Sequence, residues 1–526
     1  MVRKVSRKLV VVALIVVVGV GAVGLSVYGG WNNADPPDPS ASDVLCPQAA
    51  PPEVDFTVLN DVYTLFRQES VYQSQVSKPD VLLKGALKTI FGFVGVNEKN
   101  IPDWANQMVD QQIASGQVDF SVIQKVYERM AQDPAYSVLQ NPQRRQDLFE
   151  SAVNGIIKAI GDPFASYYNA DVYRSGASDS TGKYEGIGVS TRDENNETII
   201  TTVFAGSPAE KAGLKSGDVI TKVDGKSIEG CSRTQLTQKI RGEAGTTVVI
   251  TVRRLSGTVE DVPVVRGQIR QNVVSSCPGA SLPDGRGNST KDLPFDCPLV
   301  DKDGNFVQGV LYIKMNEFTE QVPRDFAAIL QGVPRQNYAR GIIIDLRGNP
   351  GGLVQATLET IDYFLPAGTT VLLQEDKSGV EVPITYQNYD LAIDVPVVVL
   401  VGRDPQNRQG AADNSYSASE VFSGSLRDNG RAVIIGESAT GGKGTVNRTY
   451  PLRNGKYGAL YIAIGLWKTP NGDFIERIDT DGDGYKETGG LMPDILVTWT
   501  DEDYATFAHN PEWDPVLYRA IDELLP

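Results

Sequence analysis

The chain has 526 residues, of which 41% are hydrophobic, more than one ordinary core absorbs, so three or so domains are expected. A formal net charge of −16 counts against a nucleic-acid groove and against adsorption onto anionic lipid headgroups. Four cysteines, Cys46, Cys231, Cys277 and Cys297, with no C-x-x-C pair, suit an oxidising compartment and give no zinc pattern.

Residues 9–28 form an almost unbroken apolar run, about the length a helix needs to cross a bilayer, after Arg3, Lys4, Arg7 and Lys8. The positive-inside rule then keeps the amino terminus in the cytoplasm and puts the rest outside, at a cell surface or in a periplasm. A cleaved signal peptide competes with this reading, but no clear A-x-A site follows. Residues 1–30 are therefore expected to be an anchor. Residues 31–55, with prolines at 36, 37, 39, 47, 51 and 52, read as an extended tether.

Residues 56–175 carry helical periodicity, as in Leu59, Val62, Tyr63 and Phe66 and again in Phe149, Ala152, Val153, Ile156 and Ile157. Residues 184–268 show strand alternation at Val248, Ile250 and Val252, and a glycine turn, Gly186-Ile187-Gly188-Val189. With the later run 207–225, this segment resembles a PDZ domain. The resemblance implies that amides at 186–189 hold a substrate's terminal carboxylate while an edge strand takes up the peptide.

Residues 269–306 are a connector. Cys277 and Cys297 flank a loop-like stretch there, and a disulfide between them would staple it; two unpaired thiols are the alternative. Residues 307–500 alternate apolar strand-like runs (310–314, 341–345, 395–401) with helical stretches near 324–330 and 353–364, an α/β pattern, and 501–526 close the chain. Asp479, Asp481 and Asp483 followed by Gly484 repeat the first half of a calcium loop. Position twelve is Gly490, so Glu487 or Glu476 would have to complete a weak structural calcium site; an acidic surface turn is the competing reading.

The chemistry concentrates at 417–447. The single histidine, His509, lies near the end of the chain, so a serine nucleophile needs another base. Lys443, among Gly441, Gly442 and Gly444 and after the apolar run 432–435, can serve if burial lowers its pKa from roughly 10.4. Ser417-Ala-Ser-Glu420 also fits a helix capping box, and both roles can coexist: a helix start offers amides, including Ala418's, to a developing oxyanion.

This segment resembles the carboxy-terminal processing proteases, or tail-specific proteases, a family of Ser/Lys endopeptidases. So do 341–352, ending Asn349-Pro-Gly351-Gly352, and 468–472 and 490–497. The resemblance implies a multidomain protein: a helical amino-terminal region, a PDZ domain and a crotonase-like α/β serine protease core. It makes Ser417 the nucleophile, Lys443 the base, Asp428 a supporting acid and Gly351 or Gly352 an oxyanion donor. No cofactor is required, the substrates are proteins with exposed C-terminal tails, and in some relatives the helical region mediates dimerisation. Two departures stand out. The serine-to-lysine interval is one residue longer than the family pattern, and Asn447, which the resemblance places among the catalytic residues, replaces a glutamine that in many members orients the lysine. Ser415 and Ser419 are rival nucleophiles by proximity. An inactive PDZ scaffold on the same fold and a crotonase-like acyl enzyme are the competing functions.

Overall fold

The structure, a computed structural model, describes Leu45 and residues 54–525 except 177–182, 195–196, 205, 232, 271–273, 278–298, 386–392, 406–413, 478–488 and 511. The apolar run 9–28, Cys297 and the Asp479, Asp481, Asp483 and Glu487 loop lie outside the described residues, as does the side chain of Cys277. Among the described residues no helix is long and apolar enough to cross a membrane, and no acidic, cysteine or histidine cluster could hold a metal ion. Cys231 is disulfide-bonded, a pairing the sequence reading did not anticipate.

The amino-terminal helices include Val58–Glu69, Pro79–Phe93, Asp103–Ala114, Ser121–Gln132 and Pro142–Ile160. Their apolar stripes meet in a core built on Phe56, Phe66, Phe91, Phe120 and Phe149. The last helix starts where Asn141 Oδ1 accepts the amides of Gln143 and Arg144, with Pro142 in the first turn, and ends at Gly161 in the left-handed region. It crosses Pro79–Phe93 closely enough that a Cβ on Gly155 would sit 2.5 Å from the Gly85 carbonyl oxygen. The same core takes in Leu452, Tyr457, Leu460 and Ile462, and the Val71 amide donates to the Ala463 carbonyl at 2.9 Å. The helices are thus packed onto the strand Ala459–Lys468.

The second unit is a twisted antiparallel sheet in the order Val189–Glu194, Glu197–Val203, Val219–Val223, Thr247–Arg253, Val259–Val265. A two-stranded ribbon, Lys183–Gly186 with Gly267–Arg270, lies beside it. Among the described residues, Val189–Glu194 is an edge strand of this sheet. Leu45 is buried in this unit's core and donates its amide to the Ser227 carbonyl at 2.8 Å.

The third unit holds a six-stranded sheet. Val310–Met315, Gly341–Asp345, Val397–Val401, Val433–Gly436 and Ile495–Leu496 run parallel, and Val274–Cys277 pairs antiparallel at one edge. Continuous apolar runs such as Gly341–Asp345 and Val397–Val401 require cover on both faces. One face packs against the helices Val322–Gly332, Val354–Ile361 and Ala418–Asp428, the other against Pro515–Leu524. A second sheet is centred on Ala459–Lys468, which pairs with Thr445–Pro451, Ser166–Tyr168 and Thr370–Asp376.

Candidate active site

The site is assembled at the carboxyl ends of the parallel strands, where open α/β sheets place ligands. The turn after Gly341–Asp345 is fixed by a buried ion cluster: Arg347 donates to Asp345 at 2.7 Å and to Asp514 at 2.9 Å, and Tyr312 donates its hydroxyl to Asp345 at 2.6 Å. Burial alone would raise the Asp345 carboxyl, but the Arg347 guanidinium and then the Lys314 ammonium hold it well below the usual carboxylate range. A buried pair missing one partner leaves an uncompensated charge, so this cluster makes the glycine turn rigid.

Ser415 and Ser419 are committed to that turn. The Ser415 hydroxyl donates to the Leu346 carbonyl at 2.7 Å and accepts the Gly402 amide at 3.1 Å, and Ser419 Oγ donates to the Asn349 carbonyl at 3.0 Å. Neither is placed to attack a substrate. Ser417, between them, adopts φ 55° and ψ −114°, a conformation unusual for a residue with a side chain. It stands at the start of Ala418–Asp428 and is 8% exposed. Gly351 lies against it: a Cβ there would be 2.8 Å from both Ser417 Cβ and the Tyr416 carbonyl oxygen.

Glu420 ties the serine to the lysine. Fully buried, it accepts the Ser417 amide on Oε2 at 2.7 Å and the Lys443 amide on the same oxygen at 2.9 Å. Its Oε1 accepts the Gly442 amide at 2.7 Å and the Thr440 hydroxyl. Burial pushes the carboxyl up, and these hydrogen bonds pull it back. The sequence reading saw Glu420 only as a capping residue; its reach to the lysine loop carries no local signal.

Lys443 follows Val433–Gly436 by a loop that folds over the helix start. Gly441 makes room for the Tyr416 ring, whose atoms would lie within 2 Å of a Cβ there, and Gly442 for Arg477. Gly441 and Gly442 thus accommodate neighbours of the loop. The amine itself is 3.1 Å from Tyr461 Oη, 5.1 Å from that ring's centre and 5.5 Å from the centre of the Phe164 ring. Burial holds its pKa down to about 8 against the opposing pull of Asp162, Glu420 and Glu476. No hydrogen bond joins Lys443 Nζ to Ser417 Oγ in this arrangement; the amine is held by Tyr461.

Three expected participants are placed elsewhere. Asn447 is buried, but its Oδ1 accepts from Thr445 Oγ1 at 2.8 Å and its Nδ2 meets no acceptor, so it does not orient the lysine. Asp428 sits at the far end of the Ala418–Asp428 helix, about 16 Å along the axis from Ser417. There it binds Arg427 and caps the Asn471 amide at 3.0 Å, supporting a turn and not the serine. The Gly351 amide is taken by Asn349 Oδ1 at 2.8 Å, while the Ala418 nitrogen lies where Gly351 approaches the serine and Gly352 packs against Phe318.

In the antiparallel unit, Gly188 has φ 80°, and a Cβ on it would meet Ser207 Cβ at 2.5 Å, so a glycine is required where the chain enters the edge strand. Ile187 is buried in that unit's core. A cavity of about 360 Å³ borders Tyr416, with Arg403, Glu437, Arg477 and Trp499 in its lining; neither Ser417 nor Lys443 lines it.

Comparison with known proteins agrees with this architecture. Residues 309–497 match the model of peptidase family S41, and residues 199–254 match a PDZ domain model. The chain is 30% identical over 357 residues to a carboxy-terminal-processing protease of Bartonella bacilliformis, covering 67% of this chain and 70% of that protein. It is 31% identical over 377 residues to a probable CtpA-like serine protease of Staphylococcus haemolyticus, covering 70% and 67%. Among solved structures, a photosystem II D1 C-terminal processing protease aligns over 85% of this chain and 94% of its own, at 20% identity and a TM-score of 0.40. The chain belongs to peptidase family S41, the carboxy-terminal-processing serine proteases, and carries a PDZ domain.

Proposed function

We propose that the protein cleaves proteins bearing exposed C-terminal tails with a Ser417/Lys443 dyad, the tail being captured by the PDZ domain. The observation that carries the dyad is the shared acceptor: Glu420 Oε2 binds the amides of both residues, holding a serine of unusual backbone conformation near a lysine of lowered pKa. Ser417 Oγ attacks the scissile carbonyl while neutral Lys443 takes its proton, which requires the amine to swing from Tyr461 to the serine. The Gly352 and Ala418 amides receive the oxyanion. The lysine returns the proton to the leaving amine, and water, activated by the same lysine, releases the acyl-enzyme.

Tail capture rests on Gly186, Ile187, Gly188 and Val189, which lead into the edge strand Val189–Glu194, where an extended peptide can add by β-augmentation. Binding the one carboxylate at a chain's end raises the local concentration of the bonds upstream. The basic start and the apolar run 9–28 support an anchored protein whose catalytic body lies outside the cytoplasm. An unfolded protein with an apolar C-terminus should be cleaved by the full chain and spared by Ser417→Ala. Amidating the substrate's terminal carboxylate should raise KM at least about tenfold. Equal cleavage by parent and Ser417→Ala would sink the dyad, and equal KM for free and amidated tails would sink the capture mode.

The contact between Gly351 and Ser417 gives a further expectation. Gly351→Ala forces the turn away from the serine and should lower kcat/KM by about 100-fold, since displacements near 1 Å cost that much. Steady-state kinetics beside far-UV circular dichroism would check it.

A further inference from the structure

Lys443 belongs to the protease core, but one wall of its pocket does not. Asp162 and Phe164 lie just beyond the Pro142–Ile160 helix, in the turn that leads from the helical region into the strand Ser166–Tyr168. That strand pairs with Ala459–Lys468, setting Ser166 opposite Tyr461, the tyrosine that holds the amine. Asp162 is buried and pinned on both oxygens: Oδ1 accepts the amides of Phe164 and Ala165 at 3.0 Å, and Oδ2 accepts the Ala463 amide at 3.1 Å. One side chain thus locks the turn to the strand that carries Tyr461. Phe164 covers the amine at 5.5 Å from its ring centre. From the same region Tyr72 donates its hydroxyl to Glu476 Oε1 at 2.7 Å, fixing another carboxylate that acts on the lysine.

We propose that the Asp162–Phe164 turn of the helical region is a built-in part of the catalytic-base pocket, so that this region sets the protonation of the lysine and does more than pack against the core. This rests on Lys443 being the base. The groups facing the amine are the carboxylates of Asp162, Glu420 and Glu476 and the phenol of Tyr461, with the Tyr72 phenol bonded to Glu476. Phe164 shields the amine, and this desolvation, which disfavours the ammonium, outweighs the weak attraction its ring face offers a cation at 5.5 Å; Asp162 is the leading opposing influence and favours the ammonium. Asp162 and Phe164 are positioning residues acting through Lys443, and their removal has effects of opposite sign.

The test is the acidic limb of the pH profile of kcat/KM, measured on the full chain. Phe164→Ala admits water and should move the limb to higher pH by about half a unit or more, whereas Asp162→Asn should move it to lower pH. Phe164→Leu, which keeps the pocket dry, should restore the parent limb. A general loss of packing would not produce displacements in opposite directions. If all three variants keep the parent limb, the helical region merely packs and the proposal fails. Should Phe164→Ala not fold, Phe164→Val carries the same expectation with a smaller truncation. Failure of the underlying reading is separately visible: if Lys443→Met keeps the parent rate and limb, the lysine is not the base, whatever Phe164 does.

Discussion

Lys443→Met is expected to lower kcat/KM by about three to four orders of magnitude, the loss that follows when a general base is removed and the amides around the oxyanion remain. Methionine keeps the volume and apolar stem of lysine, so the pocket against Phe164 and Tyr461 stays filled. Ser417→Ala should cost about as much, and the double variant little more, because the two act as one unit. The parent enzyme should show a matching pH dependence. With the lysine pKa near 8, only about a tenth of the molecules carry the neutral amine at pH 7, so activity should climb with pH and reach half its plateau near pH 8. The fold responds with the same sign. Between about pH 8 and 10.5 the unfolded chain holds a proton that the native lysine has released, so stability rises with pH across that window. Steady-state kinetics from pH 6 to 10, with Lys443→Met beside the parent, decide the rate effects, and urea unfolding across the same range decides the stability; a parent profile flat from pH 6 to 9 would count against a lysine base.

The second large effect is expected at Glu420. Its two oxygens collect four donors, from Ser417, Thr440, Gly442 and Lys443, and the side chain is fully buried. Glu420→Gln turns one acceptor into a donor aimed at two others, and Glu420→Ala leaves all four donors unpaired. Either change should cost about 3 kcal/mol of stability and at least about 100-fold in kcat, as the serine and lysine lose their common tether. Urea denaturation and single-turnover kinetics on the same preparation would separate the two losses. Wild-type kcat in Glu420→Gln would show that the helix and loop hold the dyad without it.

Much of this site was legible because its parts are local. The S-x-x-E box at 417–420 predicts a helix start, and the helix Ala418–Asp428 begins there. The apolar runs near 310, 341 and 395 become the strands Val310–Met315, Gly341–Asp345 and Val397–Val401, since runs with no polar face are viable only when covered twice. What escaped is what requires distant residues to meet. Nothing near Lys443 announces Asp162, Phe164 or Tyr461, which come from the end of a helix nearly 300 positions earlier and from the middle of a strand. The family position of Asn447, four residues on, implies that it orients the amine; in the strand Thr445–Pro451 it stands opposite Ala463 and its side chain accepts from Thr445 Oγ1 instead. Nor does the sequence around Gly441 announce that the Tyr416 ring covers it.

The backbone of Ser417 limits which nucleophiles this scaffold can exchange. At φ 55° a side chain with one substituent on Cβ is tolerated at some cost, whereas one branched at Cβ is a genuine outlier. Cysteine satisfies that condition as serine does, and threonine does not. Descent from this fold to a thiol enzyme would then need a single codon change, while the equally small step to a threonine enzyme is closed by the main chain before any question of reactivity arises.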